Sequence, residues 1–208
     1  DLNDRSNQPF QNQDLVLIFN GEIYNYKELR KKIKKRYKFI TQSDTEIIIA
    51  YFKIFGIKCF DFFEGMWSIA IFNKKTNEIV LSRDRFGEKP LYIFETKHGI
   101  FFGSEIKYIK ILSKLKFDIN LEKINDYLQF GYKSVFKNNQ SFFKNIYSLN
   151  QGTYLKSNLN KTIQNNYWSI SKKKLNKAKL SKLIEAHKIK FFESLKIRLR
   201  SDVPIALC

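Results

Sequence analysis

An α+β fold of antiparallel strand pairs, followed by the opening of an α/β unit, is what this 208-residue sequence predicts. Three observations carry that reading. Strand-like apolar segments come in pairs joined by polar turns: Gly65–Phe72 with Glu78–Ser82 about Asn73–Asn77, and Leu91–Phe94 with Gly99–Gly103 about Lys97-His98. Helix-period segments lie outside those pairs instead of alternating with them, which argues against a purely parallel sheet. Near the end, Leu180, Ile184, Phe191, Leu195 and Leu199 mark one face of an amphipathic helix, and Ser201–Cys208 reads as the first strand of a new parallel sheet.

The elements follow in order. Leu15–Phe19 is a short apolar strand. Tyr26–Tyr37 places Leu29, Ile33 and Tyr37 four apart, a helix whose other positions are filled by Lys and Arg. Ser43 with Glu46 three residues later forms a capping box for a helix with Ile47, Ile48, Tyr51, Phe52 and Phe55 on its apolar face and Gly56 at its end. Arg83–Pro90 is a charged loop, Ser104–Ile109 a short helix, and Asn120 the cap of a helix reaching Leu128. Strand-like pieces recur at Gly152–Leu155 and Asn166–Trp168, before a Lys-rich linker at Ser171–Lys179.

Composition narrows the function classes. Apolar residues make up 43% and aromatics 16%, enough for a substantial core and too many for a disordered chain. No run of about 18 apolar residues occurs, so no membrane span is expected. The two cysteines, Cys59 and Cys208, belong to no CxxC or Cys/His cluster, which speaks against zinc and a disulfide framework and fits a reducing cytoplasm. The only Met is Met66, and the apolar run Val203–Cys208 stops without a polar tail, so the chain reads as a fragment cut at both ends.

The net charge of +18 invites a basic nucleic-acid-binding module. The charge is concentrated, however. Residues 27–38 carry a net +7 and residues 171–200 a net +9, together +16 of the +18, on two helix-period stretches far apart in sequence. Neither has the interleaved aromatics of a base-stacking surface. These charges are expected on solvent faces, and no nucleic-acid partner is expected.

Asn20-Gly21, in Phe19-Asn-Gly-Glu-Ile-Tyr-Asn-Tyr26, admits two readings. Alone, Asn-Gly is the strongest short-range hairpin signal. But the segment leads into a helix rather than a return strand, and a side-chain amide beside a bare backbone N–H can hold a negative oxygen. Asp44, in the first turn of its helix, is favoured there by the helix dipole alone. Arg83 and Asp84 alone would be a loop ion pair. His98 and His187 have no partner at a useful spacing.

Taken together, Phe19-Asn-Gly-Glu-Ile-Tyr-Asn-Tyr, Ser43-Asp-Thr-Glu, Phe63-Glu-Gly-Met-Trp-Ser-Ile-Ala-Ile-Phe, Ser82-Arg-Asp-Arg-Phe-Gly-Glu-Lys-Pro-Leu-Tyr and Phe102-Gly-Ser-Glu-Ile-Lys resemble, in that order, the glutamine-hydrolysing asparagine synthetases. Arg200-Ser-Asp-Val-Pro resembles the entry to that family's synthetase domain. The resemblance implies a class II glutamine amidotransferase domain of the Ntn-hydrolase type, a four-layer sandwich with two antiparallel sheets between helices, over residues 1–156. It implies a connecting segment and linker at 157–179, and at 180–208 the first helix and strand of an ATP-pyrophosphatase domain. It further implies ATP-dependent asparagine synthesis from aspartate with ammonia released from glutamine, magnesium with the ATP, no cofactor or metal in the glutaminase half, and a cytoplasmic enzyme that admits a homodimer. An alternative is a related amidotransferase amidating another carboxylate.

By the same resemblance, Asn20 and Gly21 form the oxyanion hole and bind glutamine, Glu22 also contacts it, and Asp44 accepts its α-ammonium group. Arg83 and Asp84 are a supporting pair, and Ser104-Glu105 adjoins an interface or tunnel. The nucleophilic Cys and the Ser-Gly-Gly-x-Asp-Ser phosphate loop of the family have no counterpart in these residues, so the chain alone is expected to be inactive. Asn150-Gln151 stands where the family usually has two prolines, which loosens a turn and leaves the chemistry alone.

Overall fold

The pleat of residues 65–83 sets the fold. In the computed structural model, which describes residues 4–97, 99–158, 161–170, 179–201 and 203–206, strand β3 (Gly65–Asn73) returns through a polar turn as β4 (Glu78–Arg83), in register from Ser68↔Arg83 to Asn73↔Glu78. Around them form β1 (Phe10–Asn12), β2 (Leu15–Ile23), β5 (Tyr92–Thr96), β6 (Gly99–Gly103), β7 (Ile146–Ser148), β8 (Thr153–Asn158) and β9 (Lys161–Asn166). They make a six-stranded sheet, β1-β2-β3-β4-β8-β9, and a three-stranded sheet, β6-β5-β7. The helices are α1 (Tyr26–Ile33), α2 (Asp44–Phe55), α3 (Ile106–Ser113), α4 (Leu121–Phe130) and α5 (Leu180–Arg198). The chain divides into two compact units, one of residues 1–7, 23–65 and 169–208, the other of residues 8–22 and 66–168.

The second unit holds both sheets. Alternation along β5 sends Ile93 to one side and Phe94 to the other, and each meets a different core. Ile93 joins Leu91, Leu149, Ala70, Leu81 and Leu155, the seam between the two sheets. Phe94 joins Ile109 and Ile146, the seam between the small sheet and α3. The α+β class with antiparallel sheets follows from these two cores. The boundary expected at residue 156 falls inside β8, which pairs with β9 from Thr153↔Asn166 to Asn158↔Lys161, so the sheet continues into the expected linker.

Within this unit α4 begins as read, with the Asn120 side chain accepting the Lys123 N–H. The Lys123 side chain departs from the rule that lysines face solvent. It is 1% exposed, and its Nζ donates to the carbonyls of Ser134 (2.7 Å) and Val135 (3.3 Å) and to Asn138 Oδ1 (3.0 Å). Three donors meet three acceptors, which ties residues 134–138 to the helix without a carboxylate.

In the first unit α1 is shorter than its periodicity suggested, ending at Ile33. Tyr51 of α2 donates its hydroxyl to the Leu29 carbonyl of α1 and packs its ring on Phe55, Phe62 and Phe63. The turn before α2 is organised by a buried acid and a half-buried arginine. Glu46, 0% exposed, accepts the N–H groups of Ile40 and Thr41 and the Thr41 hydroxyl. Arg30 donates to the carbonyls of Thr41 and Ser43. The capping box expected from Ser43 and Glu46 is therefore only half made. Ser43 caps Thr45 N, while Glu46 reaches past the cap because Thr41 Oγ1 already accepts the Ser43 N–H.

α5 forms over the expected span, but none of its residues is buried, and Leu180, Ile184, Phe191 and Leu195 stay exposed. Arg200 beyond it pairs with both carboxylate oxygens of Glu28, at 2.6 and 2.7 Å. The strand expected at 201–208 does not form at residues 203–206. Asp202, Cys208 and the linker at 171–178 lie outside the described residues, as does His98.

Candidate active site

Asn20-Gly21 is not a turn. Both residues lie inside β2, where the alternation of buried Leu17, Phe19 and Ile23 leaves Asn20 and Glu22 on the exposed side. The hairpin reading fails because the strand runs unbroken to Ile23. Gly21 is required here for two reasons. Its φ of +152° is a conformation that side chains rarely adopt, and a Cβ on it would stand 2.0 Å from the Met66 carbonyl oxygen and 2.8 Å from Trp67 Cα. Both are backbone atoms of β3, so no side chain fits.

The Asn20 amide is oriented. Its Nδ2 donates to the Ser104 hydroxyl at 3.2 Å, across 84 residues of sequence. Ser104 follows β6 directly, so the topology of the second unit brings these two side chains together.

Trp67, against which Gly21 lies, is held from behind. Its N–H goes to Asp84 Oδ2 (3.2 Å), its indole N–H to Ser82 Oγ (3.2 Å), and its ring stacks on Tyr167 at 5.9 Å. Asp84 is 0% exposed and also accepts the N–H groups of Phe86, Glu88 and Lys89, each at 3.0 Å. Arg83 points the other way. Its guanidinium donates to the carbonyls of Lys89, Leu149 and Gly87 and to the Ser148 hydroxyl, at 2.7–2.9 Å. The two residues read as a pair thus divide the loop's backbone, the acid taking N–H groups and the base taking carbonyls. Burial lowers the Arg83 pKa, with nearby Asp84 opposing.

In the first unit, Asp44 opens α2 and its Oδ2 accepts the N–H of Ile23 at 3.0 Å. Burial raises its pKa from the ordinary 3.8, opposed by the Ile23 and Thr45 amides. The Ser43 hydroxyl also reaches Asp44 Oδ1, at 3.4 Å. A half-buried carboxylate with these partners keeps acceptor capacity for a cation.

A sequence profile of the glutamine amidotransferase domain matches residues 1–168. The chain belongs to that family. Among curated relatives of this amidotransferase domain, asparagine synthetase [glutamine-hydrolyzing] 2 of Bacillus subtilis (strain 168) is 38% identical over 211 residues, a match covering 96% of this chain and 28% of the relative. The putative asparagine synthetase [glutamine-hydrolyzing] 2 of Methanocaldococcus jannaschii is 35% identical over 196 residues, covering 92% and 37%. The domain thus spans about a third of the length of these relatives. Among solved structures, the glutamine phosphoribosylpyrophosphate amidotransferase of B. subtilis superposes with a TM-score of 0.57 at 18% identity, covering 79% of this chain and 32% of that one, a likeness of fold.

Cys59, the one cysteine of the amidotransferase domain among the described residues, is no nucleophile. It is 0% exposed, and burial, aided by the nearby Asp61 charge, pushes its thiol well above the ordinary value. No helix among the described residues is long and apolar enough to cross a membrane.

Sequence reasoning missed three groups: Ser104 as the partner of Asn20, Glu46 and Arg30 as organisers of the turn before α2, and Lys123 as a buried tie. Each bond depends on contacts that only the folded chain makes, and no local spacing signals them.

Proposed function

We propose that this chain is the glutamine-binding part of a glutamine-hydrolysing asparagine synthetase. Attack on the side-chain amide of glutamine builds a tetrahedral intermediate whose carbonyl oxygen becomes negative. Asn20 supplies a side-chain N–H and Gly21 a backbone N–H to that oxygen, preorganised donors in the sense that makes oxyanion holes effective. The observation that carries this reading is the clamped Asn20-Gly21 pair: a glycine seated on the β3 backbone where no Cβ fits, beside an amide already oriented by Ser104.

The other roles follow the chemistry of each group. Asp44 receives the α-ammonium of glutamine, because a charge-assisted bond separates an amino acid from a plain amide. Glu22 adds a further contact to glutamine. Arg83 and Asp84 take no chemical step and hold the loop behind Trp67 in place. The attacking thiolate comes from a cysteine outside these 208 residues. The released ammonia displaces AMP from an aspartyl adenylate formed from aspartate and ATP, with pyrophosphate as the other product. ATP and magnesium are assigned to no residue of this chain. The enzyme is placed in the cytoplasm, and a homodimer is compatible with this assignment.

The test is product analysis of the complete enzyme. Glutamate release from glutamine together with aspartate-dependent pyrophosphate and asparagine formation is the expected result. Glutamate release without any response to aspartate favours a different carboxylate acceptor.

The raised Asp44 pKa gives a pH prediction. The folded chain holds this proton at pH values where the unfolded chain, near 3.8, has lost it. The group's contribution to stability therefore falls as pH rises from about 3.8 through the raised folded value, and is flat above it. Glutamine binding has the opposite sign, since the ammonium prefers the ionised carboxylate. KM for glutamine should fall with rising pH through that window in the parent enzyme and lose this limb in Asp44→Asn. Identical acid limbs in the two proteins would remove Asp44 from glutamine recognition.

A further inference from the structure

The Asn20 side chain has a job that it cannot do in an arbitrary orientation. Its terminal torsion is a soft, roughly two-fold rotor, and Asn20 stands on the exposed side of β2, where packing does not fix it. In one orientation the amide presents N–H to a developing oxyanion, and in the flipped one it presents a carbonyl oxygen, which repels it. A primary amide has two N–H donors. One goes to Ser104 Oγ, and the other is left for a ligand.

Ser104 is free for this duty. A serine just ahead of a helix ordinarily spends its hydroxyl on the first-turn amides. Here the residue at the helix boundary is Glu105, in extended conformation, and α3 starts at Ile106 without a side-chain cap. The Ser104 hydroxyl instead faces Asn20. The contact joins the residue that follows β6 to the exposed side of β2 within one unit, in the short bend between β6 and α3.

We propose that Ser104 is a positioning residue for glutamine hydrolysis, acting through Asn20 by anchoring its amide nitrogen so that the second N–H is held for the oxyanion. The proposal rests on the oxyanion role of Asn20. Because the effect is exerted on a group used in the transition state, Ser104→Ala lowers kcat for glutamate release about five- to tenfold with little change in KM for glutamine. Ser104→Thr, which keeps a hydroxyl, restores most of the loss.

The deciding experiment is a double-mutant cycle on the complete enzyme, following glutamate release from glutamine. In the Asn20→Ala background, Ser104→Ala costs less than about twofold further, because the group that it orients is gone. An equal loss in both backgrounds, an unchanged kcat in Ser104→Ala, or a loss confined to KM each overturns the positioning role while leaving Asn20 in place. An undiminished kcat in Asn20→Ala alone overturns the oxyanion reading itself, and this inference with it. A loss in Ser104→Ala that Ser104→Thr does not restore marks a packing role and also overturns it.

Discussion

Asn20→Ala in the complete enzyme lowers glutamine-dependent turnover by about a hundredfold or more, while synthesis from supplied ammonia persists. The magnitude is that of losing one preorganised donor to an oxyanion, roughly 3–4 kcal/mol of transition-state stabilisation. Two structural facts make Asn20 a clean target. Its side chain stands on the exposed side of β2, so truncation opens no cavity in the core. Its one bond within the second unit, to Ser104, lies near the surface, where loss costs stability little. Kinetics with glutamine and with ammonium salts check the result side by side. Equal loss with both nitrogen sources would make Asn20 a fold residue. The second donor, Gly21, offers no such test, because any side chain at that position collides with the Met66 and Trp67 backbone.

Asp84→Ala loosens the loop behind the site and costs about 2–4 kcal/mol of stability. Four backbone N–H groups, from Trp67, Phe86, Glu88 and Lys89, converge on this one carboxylate. Asp84 is 0% exposed. The buried Trp67 N–H left without an acceptor costs about 1–3 kcal/mol, and the three part-buried loop N–H groups, which water can reach, add less each. Asp84→Asn keeps the volume and one acceptor oxygen, but turns an NH2 toward donors, so roughly half of the loss remains. Denaturant unfolding followed by fluorescence of Trp67 and Trp168, the two tryptophans of these 208 residues, measures both variants. Midpoints that move by less than about 1 kcal/mol would mean that water satisfies the loop. The effect reaches the site, since Asp84 holds the amide of Trp67 and Gly21 lies against that same residue. A partly folded Asp84→Asn should therefore lose glutaminase activity before it loses its secondary structure.

Arg83 with Asp84, and Arg30 with Glu46, are built on one plan. A buried acid collects the N–H groups of a turn while an arginine collects its carbonyls. Neither arrangement was legible as such. An Arg-Asp dipeptide reads as an ion pair and Ser43-x-x-Glu46 as a capping box, because sequence shows which charges are neighbours and not which backbone groups they will meet.

Much of the fold was legible. The paired strands Gly65–Asn73 and Glu78–Arg83, the hairpin ending in Gly99–Gly103, the Ser43 and Asn120 caps and the span of α5 all follow from period, turn chemistry and local hydrogen bonding. The ordered blocks from Phe19 to Lys107 likewise identify the glutamine amidotransferase family, because several short motifs in fixed order are specific where each alone is not. These are short-range or one-dimensional properties, and the sequence determines them unaided. The conformation of Asn20-Gly21 was decided elsewhere. Local preference favours a turn, yet the β3 backbone at Met66 and Trp67 holds those residues in a strand, and Ser104 orients the amide from 84 residues away. The burial of Lys123, Glu46 and Asp84 belongs to the same class. A charged side chain goes inside only where the folded backbone presents enough partners to replace water, and those partners come together only when distant segments pack.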